Sequence, residues 1–194
     1  MANNNIEIEI KVPVDKSLFL EVKSKLGKIA RFEKDVKQKD DYFTPVHRSF
    51  TAPEFPYEWL SIRKRDGKCI VNYKHFYPEN VEVTAYCDEF ETEIGNAGGV
   101  EKMFSALNFK KLVSVEKERE VFVFKDMFEI ALDNVKGLGY FIEIEAVKDL
   151  GSVENARKEI AEFAKTLGVE GSKADKRGYP FLLMEKKGLI KNLK

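Results

Sequence analysis

Apolar and charged residues alternate along much of this chain, and few folds accommodate such a pattern. The first example is Ile6-Glu7-Ile8-Glu9-Ile10-Lys11-Val12, where isoleucines and charged residues occupy alternate positions. Successive side chains of a β-strand point to opposite faces, so the pattern predicts a strand with one apolar and one charged face. Seven segments show it, at 6–12, 60–65, 68–76, 87–94, 113–124, 128–133 and 140–145.

Apolar residues also recur at helical spacing in segments between these strands. Stripes at 18–26, 100–107 and 153–167 predict three amphipathic helices, the first capped by Asp15 and the third bounded by Ser152 and Gly168. A weaker fourth helix is predicted over about 173–185. Strands that are mostly antiparallel, with helices between them, indicate an α+β domain. Seven or eight such strands are expected to curl toward a closed barrel with the helices outside.

The net charge of the chain limits the kinds of molecule that its surface can bind. The chain has 194 residues, with 33 lysines and arginines against 33 aspartates and glutamates, so its formal net charge is zero. A surface without net positive charge disfavours general binding of nucleic acid. No apolar run reaches the ~18–20 residues that span a membrane, and the N-terminus lacks the pattern of a secretory signal. We therefore expect a cytoplasmic protein with a single domain over residues 1–194.

The polar faces of the predicted strands carry mostly ions. Their acids and bases are Glu7, Glu9, Glu89, Glu91, Glu93, Asp133, Glu143 and Glu145, and Lys11, Arg63, Arg65, Lys74, Lys117 and Arg119. If the helices cover the apolar faces, these ions point into the barrel, where unpaired charges are expensive. Two interpretations stay open: a salt-bridged structural core, and a site that binds a cation and an anion.

The second interpretation corresponds to a specific chemistry. Carboxylates at positions i and i+2 lie on one strand face about 6.6–7 Å apart, and a neighbouring strand brings others to ~5 Å. Such clusters suit Mg²⁺ or Mn²⁺, whereas arginine binds phosphate oxygens through two donors and lysine supplies a mobile charge. Acids for a metal and bases for a polyphosphate together indicate phosphoryl or nucleotidyl transfer.

Seven short motifs occur in a fixed order between about residues 6 and 183. They are Glu7-x-Glu9-x-Lys11, Asp41-Tyr42-Phe43, Leu60-Ser61-Ile62-Arg63-x-Arg65, Asn72-Tyr73-Lys74, Glu89-x-Glu91, Lys117-x-Arg119, and Leu132-Asp133 followed by Leu138-Gly139-Tyr140-Phe141-Ile142-Glu143-Ile144-Glu145. Together they resemble the motifs of the CYTH superfamily, the triphosphate tunnel metalloenzymes. Segments 73–75 and 89–93 are most similar to the class IV adenylyl cyclases, and the thiamine triphosphatases are related.

The resemblance implies an eight-stranded antiparallel closed barrel, or tunnel, with helices packed outside it. It implies Mg²⁺ or Mn²⁺ and a small triphosphate substrate, neither nucleic acid nor a membrane as partner, and it leaves a homodimer open. The implied metal ligands are Glu7, Glu9, Asp133, Glu143 and Glu145. The implied phosphate-binding residues are Lys11, Arg63, Arg65, Lys74, Lys117 and Arg119. The implied catalytic acids are Glu7, Glu9, Glu89, Glu91 and Asp133.

Two positions depart from the family pattern. Ser61 stands where many members have an arginine, and Cys87 stands where an arginine often precedes the two acids of the Glu89-x-Glu91 motif. Six bases remain, which exceeds the four negative charges of ATP, so we expect the chain to be active. Lys64 falls on the opposite strand face from Arg63 and is left out of the site.

Three functions stay open at this point. One is cyclisation of ATP to cyclic AMP and pyrophosphate, which the resemblance favours. The others are hydrolysis of inorganic or thiamine triphosphate, and binding of a nucleotide or polyphosphate without catalysis. Only a nucleoside pocket separates the first two, and the sequence has no nucleobase-binding motif. Tyr57 and Trp59 are candidates to stack on a base, although aromatics at the start of a strand more commonly pack within the fold.

Overall fold

The computed structural model of the chain describes residues 8–81, 86–174 and 177–190. Within these ranges the strands are β1 (Glu9–Val14), β2 (Arg31–Pro45), β3 (Glu58–Arg65), β4 (Lys68–Tyr77), β5 (Tyr86–Ile94), β6 (Phe109–Phe124), β7 (Phe128–Val135) and β8 (Gly139–Ala146). The helices are α1 (Lys16–Ile29), α2 (Ala97–Ala106), α3 (Val153–Leu167) and α4 (Tyr179–Lys186), with one turn of 3-10 helix at Gly171–Lys173.

The strands form one sheet in the order β1-β8-β7-β6-β2-β3-β4-β5. Six neighbouring pairs of strands have antiparallel registers: β1–β8, β8–β7, β7–β6, β2–β3, β3–β4 and β4–β5. The order is linear, and within the described ranges no hydrogen-bonded ladder joins β1 to β5. The predicted α+β class with eight antiparallel strands is confirmed, but closure into a barrel is not.

The chain divides into two compact units, and each is described by itself. Among the described residues, the first unit comprises 38–81, 86–116 and 177–190, and the second comprises 8–37 and 117–174. Strands β2 and β6 each contribute residues to both units.

The second unit is built on the apolar faces of β1, β7 and β8. Helices α1 and α3 pack on β8, and Ile142 and Ile144 of that strand are completely buried with Val22 of α1 and Ile160 of α3. Both helices begin where their caps predict, because Asp15 and Ser152 accept hydrogen bonds from backbone N–H groups of the first turn. The helices therefore cover the apolar face, and the charged residues of these strands lie on the other face.

The first unit contains β3, β4 and β5 with α2 and α4. Helix α4 buries Phe181 and Met184, but α2 has no fully buried residue. The helix predicted from the stripe at 100–107 is present, but the stripe is not buried, because Met103 and Leu107 are 63% and 64% exposed. Only Phe104 of that stripe makes aromatic contacts, with the rings of Phe43 and Phe109.

Two further elements differ from the sequence prediction. The fourth helix begins at Tyr179 rather than near 173, because Pro180 fits the first helical turn, where its missing N–H is not needed. Strand β2 was not predicted from periodicity, because its buried residues Asp40 and Asp41 place a charge on each face. None of the helices in the described part of the chain is long and apolar enough to cross a membrane.

Candidate active site

The second unit carries a buried cluster of ions on the charged face of its strands. We call it the Asp133 cluster, and it consists of Lys11, Lys117, Arg119, Asp133 and Glu143. Lys11 is the ladder partner of Glu143 across β1 and β8, and Arg119 is the ladder partner of Asp133 across β6 and β7. Strand alternation and pairing therefore bring together five residues from the four strands β1, β6, β7 and β8.

Asp133 is at the centre of this cluster and has no exposed surface. Its Oδ1 accepts a hydrogen bond of 2.7 Å from Arg119 Nε, and its Oδ2 accepts bonds of 2.6 Å from Arg119 Nη2 and 3.0 Å from Lys117 Nζ. Arg119 Nη2 also donates to Glu143. Both oxygens of Asp133 are thus engaged by bases, and Arg119 links the two acids.

Burial and neighbouring charge shift the ionisation of two of these side chains. Burial lowers the pKa of Lys117, and the nearby Arg119 charge lowers it further. Burial acts to raise the pKa of Glu143, but the charges of Arg119 and Lys117 outweigh it, so this pKa lies below its usual value. Glu143 is therefore ionised at neutral pH.

Further acids form a row beside this cluster. Glu145 of β8 pairs in register with Glu9 of β1 on one side and with Glu129 of β7 on the other. Glu129 is not among the predicted site residues, although its alternation with Ile130 and its spacing of four residues from Asp133 place it on the same face. Glu7, also predicted as a ligand, lies outside the described residues.

The acids of the second unit fit a hard divalent cation by donor type, because carboxylate oxygens are the ligands that Mg²⁺ and Mn²⁺ prefer. In the part of the chain that the structure describes, however, no three Asp, Glu, His or Cys side chains converge closely enough to hold a metal ion. The predicted ligands Glu9, Glu143 and Glu145 lie on the adjacent strands β1 and β8, and both Glu143 and Asp133 accept hydrogen bonds from Arg119.

The first unit carries a second group of ions on β2, β3, β4 and β5. We call it the Arg63 cluster, and it consists of Asp40, Arg63, Asn72, Lys74, Glu89 and Glu91. Arg63 Nη1 donates a hydrogen bond of 2.9 Å to Glu91 Oε1, and Arg63 Nε lies 3.5 Å from Asp40 Oδ2. Asn72 Nδ2 donates to Glu89 at 2.5 Å and to Glu91 at 2.8 Å. Arg63 therefore contacts Glu91 directly, and Asn72 links Glu91 to Glu89, the other predicted acid of β5.

Lys74 joins the same cluster through Glu89, with 3.3 Å between Lys74 Nζ and Glu89 Oε2. Burial acts to raise the pKa of Glu89, but Lys74 and the Asn72 amide outweigh it, so this pKa lies below its usual value. Arg65, the remaining predicted base, lies opposite Gln38 in the β2–β3 ladder.

Three polar residues of the first unit were missed as site residues. Gln38, Asp40 and Asn72 are 8%, 4% and 3% exposed. Gln38 Nε2 donates a hydrogen bond of 2.8 Å to Asp40 Oδ2. The alternation of Asn72 with Tyr73 and Lys74 was a signal for Asn72. No sequence pattern indicates that Asp40, and not its neighbour Asp41, lies on the face of the Arg63 cluster.

The opposite face of β3 holds a separate ion cluster around Asp41. Lys64 Nζ lies 3.4 Å from Asp41 and donates a hydrogen bond of 3.0 Å to Glu101 of α2. Lys111 Nζ lies 2.5 Å from the Asp41 carboxylate, and Ser114 Oγ donates to it at 2.6 Å. Lys64 thus lies against α2, on the other side of the strand from Arg63.

Aromatic side chains lie on the same face as Lys74. Trp59 is the ladder partner of Lys74, and its ring meets Tyr42 edge to face with 5.8 Å between centroids. Ser61, which replaces an expected arginine, is buried on the same face of β3 as Trp59 and is the ladder partner of Tyr42 and Asn72. On the opposite face of β4, the partly exposed His75 stacks on Tyr77 and lies 2.9 Å from Glu79 Oε1.

Known proteins provide an independent test of the resemblance. The model of the CYTH domain family matches residues 5–179. A protein of Methanocaldococcus jannaschii that bears the name "Putative adenylate cyclase" is 32% identical over 176 residues, which are 90% of this chain and 96% of that protein. The structure of PH1819 from Pyrococcus horikoshii superposes with a TM-score of 0.74 at 29% identity, covering 93% of this chain and 99% of that one.

A more distant structure shares the fold. The Hippeastrum protein HpAC1, whose structure is reported with a dominant triphosphatase activity, has a TM-score of 0.66 at 21% identity and covers 95% of this chain and 96% of its own. The family match extends over most of the chain and includes the strands that carry both ion clusters. The chain therefore belongs to the CYTH domain family.

Proposed function

We propose that the protein is a divalent-metal-dependent enzyme that converts ATP to cyclic AMP and pyrophosphate. The observation that carries the proposal is the composition of the Asp133 cluster, where Lys11, Lys117 and Arg119 share one strand face with Asp133 and Glu143. Lys11 and Lys117 are 8% and 9% exposed, so two of these bases are buried. Lysine and arginine gathered on one face bind phosphate oxygens, and family membership makes a triphosphate the expected ligand.

The basic residues would bind the phosphate groups in two ways. Arg119 and Arg63 present planar guanidinium groups that bind phosphate oxygens through two donors, while Lys11, Lys74 and Lys117 supply point charges. The predicted base Arg65 is included in this set. Closure of the eight strands into a tunnel, which the family implies, is part of the proposal.

The acids would hold the metal, Mg²⁺ or Mn²⁺. Glu9, Glu143 and Glu145 are the ligands favoured by their position on β1 and β8, with Glu7 and Asp133 as the other predicted ligands. When bound, the metal would neutralise phosphate charge and favour ionisation of the attacking hydroxyl group.

Cyclisation requires the ribose 3′-hydroxyl to attack the α-phosphorus while pyrophosphate leaves. The protein's part in such a reaction is mainly positioning and charge neutralisation. The edge-to-face pair of Trp59 and Tyr42 offers an aromatic surface beside Lys74, which supports a substrate with a ring system. Glu89 and Glu91 contact the bases of the same face and are proposed as catalytic carboxylates there.

Hydrolysis of inorganic or thiamine triphosphate is the second candidate. The attacking water molecule requires no nucleoside contact, and the sequence contains no nucleobase-binding motif. The two reactions use the same bases and acids and differ in the nucleophile and in the phosphorus atom attacked.

One product assay separates the candidates. ATP, inorganic triphosphate and thiamine triphosphate are each incubated with Mg²⁺, Mn²⁺ or EDTA, and cyclic AMP, pyrophosphate and phosphate are measured. Cyclic AMP with equimolar pyrophosphate supports the cyclase, and phosphate without cyclic AMP supports the hydrolase. Binding without any product indicates a non-catalytic module. Undiminished turnover in EDTA contradicts metal dependence.

A further inference from the structure

Asp40 is a buried carboxylate in a cluster that we propose to bind phosphate. Only 4% of the residue is exposed, and its Oδ2 lies 3.5 Å from Arg63 Nε. A fixed negative charge beside a phosphate-binding arginine weakens the attraction for an anion. Attraction between the cluster and an anionic ligand therefore does not explain why an acid occupies this position.

The position of the pair is set by the backbone. Asp40 and Arg63 are cross-strand partners in the β2–β3 ladder, so they face each other whenever the sheet forms. Gln38, two residues earlier on the same face, donates a hydrogen bond of 2.8 Å to Asp40 Oδ2 and thereby orients the carboxylate. The three side chains form a buried polar chain that ends at the guanidinium group.

Two acids touch different nitrogens of Arg63. Asp40 Oδ2 forms an ion pair with Nε at 3.5 Å without a hydrogen bond between them, and Glu91 accepts a hydrogen bond of 2.9 Å from Nη1. The guanidinium group is a rigid plane, so attraction by an acid at each of two nitrogens restricts the rotation of that plane. The donors that remain then have a defined direction.

We propose that Asp40 is a positioning residue, which holds the Arg63 guanidinium in the orientation that binds a phosphate group of the substrate. The inference rests on the proposed function. It assigns to Asp40 a role through Arg63 and not through contact with the substrate.

Asp41 provides a matched control for this role. It is the next residue on β2, is also buried, and is bound by bases on the opposite face of the sheet. Asp40→Asn and Asp41→Asn remove the same charge from adjacent positions. If charge alone mattered, both variants would bind an anion as tightly as the parent or more tightly.

The test is calorimetric titration with inorganic triphosphate in EDTA, so that only the bases contribute, with a melting curve for each variant. We expect Asp40→Asn to weaken binding about tenfold, as the loss of a supporting partner typically does for a bound group. We expect Asp41→Asn to change the affinity less than about twofold while lowering the melting temperature. Equal or tighter binding by Asp40→Asn would overturn the inference.

Two further variants keep the test informative if Asp40→Asn is poorly folded. Gln38→Met changes no charge but removes the hydrogen bond that orients Asp40, and it should weaken binding in the same direction. In an Arg63→Ala background, Asp40→Asn should have no further effect, and a persisting tenfold loss there would overturn the inference. If the parent binds no inorganic triphosphate with or without metal, the proposed function fails, and this inference fails with it.

Discussion

Adjacent residues of one strand take part in different networks of this protein. Asp40 faces Arg63, and Asp41 faces Lys64, Lys111 and Ser114 on the other side of the sheet. Burial acts to raise the pKa of Asp41, but hydrogen bonds from Lys111 and Ser114 outweigh it, so this pKa lies below its usual value. A carboxylate with a lowered pKa stabilises the fold only while it is ionised.

We expect Asp41→Asn to lower the free energy of unfolding by about 1–3 kcal/mol at neutral pH, because Lys111 and Lys64 lose a charged partner. The contribution of Asp41 is complete above its usual pKa of 3.8 and is lost as the pH falls through the lower folded-state value. The difference in stability between parent and variant should therefore shrink in acid. Urea unfolding from pH 7 to pH 2 measures it, with exposed Asp35→Asn as control. A difference that is constant over this range would contradict an ion-pair origin.

The bases of the two strand faces should differ in their effect on the substrate. We expect Arg63→Ala and Lys117→Ala to weaken triphosphate binding roughly 10–150-fold, which corresponds to the loss of one charge-assisted contact. Lys64→Ala should have little effect, because its ammonium group contacts Glu101 and Asp41 against α2. Calorimetric titration of the three variants measures this. The largest loss in Lys64→Ala would contradict the assignment of faces.

Individual helices differ in how firmly they are attached. Helix α3 buries Ala156, Ile160, Phe163, Ala164 and Leu167, whereas α2 has no fully buried residue. Segments with few buried contacts open locally at a low free energy, because little apolar surface is exposed by opening. The attachment of α2 depends on Phe104 and on the ion pair between Glu101 and Lys64.

We therefore expect the backbone amides of α2 to exchange with solvent at least about tenfold faster than those of α3, which corresponds to roughly 1.4 kcal/mol in opening free energy. Hydrogen exchange followed by mass spectrometry compares peptides from 97–106 and 153–167. Helix α1, which buries Phe19, Val22 and Leu26, serves as an internal reference and should resemble α3. Equal protection of α2 and α3 would contradict the difference in packing.

At the scale of the whole molecule, stability should depend on metal concentration. Glu145 lies in register between Glu9 and Glu129, so three carboxyl groups form a row across β1, β8 and β7. If this row awaits a cation, removing one charge relieves repulsion in the metal-free protein. If Glu145 instead neutralises a base in the fold, removing its charge leaves that base uncompensated.

We expect Glu145→Gln to melt at the same temperature as the parent, or higher, in EDTA, and to gain less from Mn²⁺. A ligand that binds only the folded state stabilises it by RT ln(1 + [L]/Kd). At 100 times Kd the parent gains ~2.7 kcal/mol, and a variant with tenfold weaker affinity gains ~1.4 kcal/mol. Melting curves of both proteins with and without Mn²⁺ measure the difference. A variant that is destabilised in EDTA yet gains as much from Mn²⁺ would show that Glu145 is a structural ion-pair residue.

Local patterns were sufficient to predict most of the elements, and they divided the charged from the apolar residues on the strands that they predicted. Alternation placed Lys117 and Arg119 on one side of β6, and cap residues located the ends of α3, because both effects act within a few residues of the chain. The order of the motifs was also enough to identify the family, since it is a property of the sequence alone.

Tertiary structure decided which charges meet. Pairing of β6 with β7, and of β7 with β8, brings Arg119 to Asp133 and Glu143, and no local signal encodes those partners. It also buried Asp40 against Arg63 and left Met103 of α2 exposed. The physical reason is the separation along the sequence of the residues that interact. Strand parity and helix caps follow from neighbouring residues, whereas strand order, burial and ion pairing depend on segments that are distant in sequence and meet only in the folded chain.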